Sequence, residues 1–239
     1  LQGITHVREF NRIDQTYING AYRDYGNQVC TKLINAYNEY GMKVLFMVAG
    51  IPSNLLRDDQ KTDYGGVPYK LLDGYKYIKS LCKTYEGKID TLEIMNEMSI
   101  GNDKYGADKY AAFLKAASIA VKDSGTNITV ANGAATYDVP KYQNILYQND
   151  ISDYIDVFSF HEYATMNKGT NKVYEFPPRA KETIDEANSN GLIKKPKWAT
   201  ETGIFIPIPL NETEPTKEQK LAQARYAPVG IIEAASYGT

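Results

Sequence analysis

The sequence has no apolar run of membrane-spanning length, and this absence excludes a transmembrane helix. It also has little net charge, because its 27 basic and 29 acidic residues nearly cancel. That balance leaves no electrostatic footprint for nucleic acid or for an anionic membrane. Two histidines and two cysteines, without any Cys/His cluster, form no metal site of recognisable spacing. We therefore expect no nucleic-acid partner, no membrane partner and no metal.

The cysteines say little about the redox compartment. Cys30 and Cys82 both fall within helical patterns, and two buried thiols or a disulfide remain open alternatives. Asn127-Ile-Thr and Asn211-Glu-Thr have the form of glycosylation sequons, and the chain begins at Leu1 without a signal-like segment. We expect a secreted glycoprotein from which the natural start of the chain has been removed.

What the sequence does contain is a regular alternation of strand and helix patterns. A continuous apolar run such as 43–48 is typical of a strand covered on both faces, and an amphipathic stretch such as 107–121 is typical of a helix packed on a sheet. The predicted strands are 3–10, 43–48, 89–95, 128–131, 155–160 and 197–200. The predicted helices are 27–40, 69–85, 107–121, 140–148, 180–189 and 216–235.

This alternation predicts an α/β fold with a parallel sheet and right-handed crossovers. A doubly wound nucleotide-binding fold would need a glycine-rich turn after its first strand, and the residues after Phe10 form no such turn. The (β/α)₈ TIM barrel is therefore favoured, with residues 1–239 as a single domain. Such a barrel has eight strands in ~250 residues, and only six are found. We expect that the first and eighth strands are missing from this chain.

Polar residues close four of the predicted strands. They are Arg8 and Glu9 after the first, Asn96 and Glu97 after the third, His161, Glu162 and Tyr163 after the fifth, and Glu201 after the sixth. Parallel strands bring their C-terminal ends to one rim, so these residues are predicted to converge. Successive strand residues point to opposite faces, so Glu162 could turn away from Glu201.

Two carboxylates on one rim suggest the cleavage of a glycosidic bond. That reaction needs one protonated acid at the leaving oxygen and one ionised group at the anomeric carbon, and different environments can hold two carboxyls in these two states. Each residue alone has an ordinary alternative. Glu97 could belong to a common loop entry, Glu201 could cap a turn, and a strand-end His161 is often only hydrogen-bonded in place. A catalytic role for Glu97 and Glu201 is favoured because the predicted barrel brings both residues to the same rim.

Three stretches carry a resemblance to a known group of enzymes. They are Leu92-Glu-Ile-Met-Asn-Glu97, Asp156-Val-Phe-Ser-Phe-His-Glu-Tyr163 and Pro196-Lys-Trp-Ala-Thr-Glu-Thr-Gly203. In this order, and with an arginine at the end of the first strand, they resemble the retaining glycoside hydrolases of clan A, with families 5 and 39 the most similar. The resemblance covers most of the chain.

The resemblance implies an enzyme that hydrolyses β-linked glycosides in an oligo- or polysaccharide, with retention of configuration and without a cofactor. It implies that Glu97 is the general acid/base and that Glu201 is the nucleophile. The two carboxyl groups are then expected to lie ~5–5.5 Å apart.

The resemblance also implies supporting roles on the same rim. Asn96 would hydrogen-bond the sugar 2-hydroxyl, a contact that strengthens in the transition state. Tyr163 and Arg8 would hold the nucleophile ionised and oriented. His161 would line the glycone subsite.

The chain departs from the family pattern at several positions. Met95 and Met98 flank Asn96-Glu97, where members of the clan carry an aromatic residue and often a proline. Residues 49–52 replace the histidine of family 5 and look more like family 39. These methionines and the missing eighth strand support an alternative from another class, a non-catalytic carbohydrate-binding barrel. A barrel enzyme of unrelated chemistry, such as a lyase, is a third possibility.

The substrate is expected to be selected by two loops, residues 51–67 and 204–214. Tyr105, Tyr137 and Tyr163 lie in predicted rim loops and are candidates for stacking on sugar rings. Trp198 is expected to pack between the barrel and its helices. The sequence does not indicate an oligomeric state.

Overall fold

The computed structural model describes residues 4–10, 16–23, 28–56, 66–99, 106–136, 140–166, 173–174, 176–208 and 213–238. The strands in chain order are β1 (His6–Phe10), β2 (Thr16–Ile18), β3 (Ala21–Arg23), β4 (Lys43–Val48), β5 (Thr91–Ile94), β6 (Thr129–Asn132), β7 (Ala135–Thr136), β8 (Phe158–Met166), β9 (Val173–Tyr174) and β10 (Lys197–Phe205). The helices are α1 (Val29–Glu39), α2 (Leu71–Thr84), α3 (Ala107–Asp123), α4 (Pro140–Gln148), α5 (Phe176–Ala187) and α6 (Lys217–Ser236). Short 3₁₀ turns cover Ser53–Leu55 and Ile151–Tyr154.

The main strands pair in parallel and follow one another across the sheet in chain order. One run of pairing has the order β1-β4-β5-β6, and a second has the order β7-β8-β10. β6 and β7 are two parts of one barrel strand, interrupted at Gly133 and Ala134. The first part, β6, pairs with β5, and the second part, β7, pairs with β8, so this interrupted strand joins the two runs. The result is a curved sheet of six parallel strands with helices on its outer side, which is a partial TIM barrel.

A buried asparagine closes the break between the two runs. The Asn132 side chain donates to the carbonyl of Ser159 (2.9 Å) and accepts from the backbone N–H of Ser159 (2.8 Å). A parallel bridge between Ala131 and Val157 lies directly before it. The side chain of Asn132 therefore replaces the backbone ladder where β6 ends and β8 begins.

The core lies on both faces of the sheet. Every residue of β4 after Lys43 is buried, as expected for a parallel strand covered by helices on one side and by barrel side chains on the other. Tyr77 and Leu81 on α2 and Phe113 and Leu114 on α3 are fully buried beneath that outer layer. Cys30 and Cys82 are buried thiols that form no disulfide, so the disulfide alternative is wrong.

The predicted TIM-barrel fold is confirmed, including the six main strands. The ends of two strands were predicted too early, because β8 continues past Phe160 to Met166 and β10 continues past Thr200 to Phe205. The antiparallel hairpin of β2 and β3 was not predicted, since each of its strands has only three residues. A strand of three residues is too short to show the alternation of apolar and polar residues by which strands are recognised.

The sheet is open on one side. Among the described residues, β1 pairs only with β4, and β10 pairs only with β8. A largely apolar cavity of about 650 Å³ lies between these two edge strands and α6. Its lining includes Trp198 of β10, Leu45 of β4 and Ile231 of α6. Within the described part of the chain, no helix combines the length and apolarity needed to cross a membrane.

Replacing Asn132 with alanine is expected to destabilise the fold strongly. The substitution leaves the buried N–H and C=O of Ser159 unpaired, and each such group costs about 1–3 kcal/mol. Urea unfolding of Asn132→Ala and Asn190→Ala measures the difference. Asn190 also donates to a backbone carbonyl, but it is exposed, so its loss should change the unfolding free energy little. Equal stability of the two variants would contradict the role given to Asn132.

Candidate active site

Arg8 connects the strand ends at the rim of the barrel. Its Nε donates to Glu93 (2.7 Å), one terminal nitrogen donates to Glu201 (3.0 Å), and the other donates to the side-chain oxygen of Asn96 (2.8 Å). All three branches of the guanidinium therefore have acceptors, two of which are carboxylates.

Glu93 belongs to this network and was not singled out from the sequence. Its side chain is fully buried, and it accepts from Arg8 and from the hydroxyl of Thr200 (2.8 Å). A buried carboxylate is tolerable only when it is paired and hydrogen-bonded. The signal available in the sequence was a charged residue inside the otherwise apolar run of β5.

A β-bulge in β10 brings two neighbouring residues to the inner face. The register with β8 shifts between Ala199 and Glu201, which leaves Thr200 as an extra residue. Thr200 can then reach Glu93 while Glu201 reaches Arg8. Strict alternation would have sent these two side chains to opposite faces, and bulges commonly redirect side chains in this way beside functional sites.

The environment of Glu201 favours its ionised form. Partial burial alone would raise the pKa of this carboxyl, but the Tyr163 hydroxyl and the charges of His161 and Arg8 together hold the pKa below its usual value. Burial and the neighbouring Glu201 raise the pKa of the Tyr163 hydroxyl, so the hydroxyl stays protonated and donates a hydrogen bond to Glu201.

Glu97 sits on an irregular stretch directly after β5. Both Met95 and Glu97 have left-handed backbone conformations, with φ of 72° and 46°. Such conformations cost a residue with a side chain about 1–3 kcal/mol and persist only where the surroundings impose them. Here the surroundings include the carbonyl of Gly133, which accepts from the Glu97 N–H at 3.1 Å.

Gly133 is needed because the backbone of β5 passes very close to it. A Cβ on residue 133 would lie 2.2 Å from the carbonyl oxygen of Ile94 and 2.9 Å from the carbonyl carbon of Met95. Tyr110 ties the same two segments together, since its hydroxyl donates to the Ile94 carbonyl (2.9 Å) and accepts from the Gly133 N–H (2.5 Å). Close backbone contact thus positions Glu97.

The two acids meet beside His161. Its Nδ1 lies 2.7 Å from a carboxyl oxygen of Glu97 and 3.9 Å from one of Glu201, and the imidazole is almost completely buried. One ligand atom from each of these three residues lies within 4.8 Å of the others, which makes them the one cluster among the described residues able to hold a metal ion. The side chains of Glu97 and Glu201 remain open to solvent, at 24% and 40%.

The structure brings all six predicted site residues together: Arg8, Asn96, Glu97, His161, Tyr163 and Glu201. Glu9 and Glu162 turn the other way, toward Tyr37 on α1 and Thr183 on α5. Tyr105, Tyr137 and the Asn211 sequon lie outside the described residues, as do parts of both predicted selectivity loops. The roles of the six residues remain predictions.

Comparison with known proteins adds to this geometry. No protein-family model matches the chain, and no curated protein matches it in sequence. Solved structures do match. A family 39 glycoside hydrolase from the gut symbiont Bacteroides cellulosilyticus WH2 superimposes with a TM-score of 0.68 at 17% identity, over 98% of this chain and 49% of that one. This chain shares the TIM-barrel fold of that structure.

Two further structures agree with this assignment. A GH39 β-xylosidase from Caulobacter crescentus has a TM-score of 0.67 at 14% identity, over 97% of this chain and 53% of that one. A GH10 xylanase from Thermobacillus composti has a TM-score of 0.65 at 12% identity, over 98% and 72%. The resemblance to clan A is thereby confirmed at the level of the fold. The chain spans about half the length of the two family 39 structures.

Replacing Tyr163 with phenylalanine is expected to raise the pKa of Glu201, because the hydroxyl that stabilises its carboxylate is lost. Since the pKa of Glu201 is lowered in the folded protein, its carboxylate is present above that pKa and is lost as pH falls through it. In Tyr163→Phe this loss should begin at a higher pH. Carboxyl ¹³C NMR titration measures it, with Glu201→Gln to assign the signal and the exposed Tyr40→Phe as control. An unchanged titration would exclude the proposed effect of the hydroxyl.

Replacing Gly133 with alanine is expected to displace residues 94–97, because the new methyl group cannot fit against the Ile94 carbonyl. Gly87→Ala is the matched control, since Gly87 has a positive φ but open space around its Cβ position. The control should lose about 1 kcal/mol of unfolding free energy, and Gly133→Ala should lose more. Exchange of the Glu97 amide hydrogen should also accelerate only in Gly133→Ala. The same exchange rate in both variants would argue against the contact.

Proposed function

We propose that this chain forms the catalytic centre of a retaining glycoside hydrolase that acts on β-linked glycosides. The observation that carries the proposal is the distance between the two acids, since a carboxyl oxygen of Glu97 and one of Glu201 lie within 4.8 Å of each other. Retaining pairs are separated by about 5–5.5 Å, whereas inverting pairs leave about 6.5–9.5 Å for a water molecule. The short spacing supports the retaining pathway.

In the first step Glu201 attacks the anomeric carbon. A bond forms between a Glu201 oxygen and that carbon, the glycosidic bond breaks, and its electron pair leaves with the aglycone oxygen. Protonated Glu97 gives its proton to this oxygen. In the second step Glu97, now a carboxylate, takes a proton from water, whose oxygen displaces Glu201 and releases the sugar. Both acids end in their starting states.

The surrounding residues fit these two roles. Arg8 and Tyr163 hydrogen-bond the two oxygens of Glu201 and keep it ionised, as a nucleophile must be. Asn96 uses its oxygen to accept from Arg8, so its amide N–H groups can be directed at the sugar 2-hydroxyl. His161 contacts Glu97 directly and fixes the orientation of the acid/base.

The neighbouring structures suggest where to look for the substrate. Two of them are named as a β-xylosidase and a xylanase, so β-xylosides and xylo-oligosaccharides are the first substrates to test. A screen of chromogenic β-glycosides, with Glu201→Ala as the background control, would identify the preferred sugar.

A second candidate is a non-catalytic carbohydrate-binding barrel. One observation favours it: among the described residues, β1 and β10 lack pairing on their outer sides, so the cleft is held together at that side by the ion pair of Arg8 and Glu201. Tight binding of oligosaccharides by the wild-type protein, with no product released from any glycan, would favour this candidate.

Replacing Glu97 with glutamine is expected to lower the hydrolysis of alkyl glycosides and oligosaccharides by about 10²–10⁴-fold, because general acid catalysis is lost. Aryl glycosides with activated leaving groups need no proton in the first step and should be affected less. Turnover of both substrate types is measured for wild type, Glu97→Gln and the exposed control Glu39→Gln. If both substrate types lost the same factor, Glu97 would not be the acid.

A further inference from the structure

An exposed aromatic side chain stands at the rim on the same strand as Glu201. Phe205 is the last residue of β10, and 61% of its surface is exposed. It follows Glu201 by four positions, so both side chains project from the same face of the strand. The strand beyond the bulge is regular, and it pairs with β8 as far as Phe205.

The exposed ring is connected to the nucleophile through Tyr163. The rings of Phe205 and Tyr163 are stacked, with centroids 4.8 Å apart and planes inclined by 30°. The hydroxyl of the same Tyr163 donates to Glu201. One face of Phe205 is therefore held against the catalytic centre, while more than half of the side chain stays open to solvent.

A glycine makes this stack possible. Gly203 lies between Glu201 and Phe205 on the strand, and a Cβ there would approach Tyr163 Cε1 to 3.0 Å. The bare backbone at this position lets the tyrosine ring lie over the strand beside Phe205. The two rings consequently stack face to face, with Tyr163 next to the nucleophile and the other face of Phe205 directed away from Tyr163.

Tyr163 lies between the ring of Phe205 and Glu201, because its ring stacks on Phe205 while its hydroxyl donates to Glu201. The open face of Phe205 is therefore separated from the nucleophile by the tyrosine ring. The C–H groups on the apolar face of a sugar pack well against the electron-rich face of an aromatic ring. A sugar whose anomeric carbon lies at Glu201 would leave Phe205 to a neighbouring sugar.

We propose that Phe205, supported by Tyr163, is a stacking platform for a second sugar residue, and that the ligand of this site is a β-linked oligosaccharide rather than a single glycoside. The proposal rests on the function proposed above, because it takes Glu201 as the point of cleavage. It also places one determinant of chain-length preference in the 204–214 segment.

The test compares the binding of long and short ligands to protein that does not consume them. Glu97→Gln protein is titrated by NMR with xylotetraose, cellotetraose and methyl β-xyloside, with and without the additional Phe205→Ala change. Removal of the platform should weaken binding of the better-bound tetraose by about threefold to tenfold, and weaken the methyl glycoside by less. Phe205→Tyr keeps the ring and should restore tetraose binding.

The matched control is Tyr40→Ala, which removes an aromatic ring with 73% exposure at the end of α1, away from the rim. It should leave tetraose binding unchanged. The proposal is overturned if Phe205→Ala weakens both ligand types equally, if it weakens neither, or if neither tetraose binds. Binding that responds to Phe205→Ala in a protein whose wild type releases no product would reject hydrolysis while keeping the platform.

Discussion

The guanidinium of Arg8 is the part of this site on which the other parts depend. It is carried by β1, and it reaches Glu93 and Asn96 on the β5 segment and Glu201 on β10. No backbone pairing joins β1 to β10 in the described sheet, so this side chain spans the open side of the barrel. Glu93 is fully buried, so moving the Arg8 side chain away would leave the Glu93 carboxylate buried without its ion-pair partner. The position of the Arg8 side chain is therefore firmly constrained.

That constraint gives the two acids different environments. Glu201 receives hydrogen bonds from Arg8 and Tyr163, and its pKa is lowered. Glu97 contacts neither of these donors in the described network and instead meets His161. A pair of carboxyls can divide the work of acid and nucleophile only when their surroundings differ in this way. The two carboxyl groups have different neighbours because Glu97 follows β5 whereas Glu201 lies on β10.

The backbone adds a second constraint at Glu97. The left-handed conformations of Met95 and Glu97 are held by Gly133 and Tyr110, which belong to β6–β7 and α3. Those segments carry no candidate catalytic group, yet they determine where the carboxyl group of Glu97 lies. Strained backbone supported by rigid neighbours is a common way to position a reactive side chain.

The sequence by itself determined the alternation of elements, the parallel sheet and the six polar residues of the rim, because buried parallel strands have continuous apolar runs and their ends stand out as abrupt polar positions. Only the tertiary structure decided the parts that depend on neighbours distant in the chain. Glu93 became a partner of Arg8 because two strands meet, and Thr200 joined Glu201 on the inner face because of a bulge. Phe205 stacks on Tyr163 because Gly203 leaves room for the tyrosine ring. Such relations are set by register and close packing, which local periodicity does not encode.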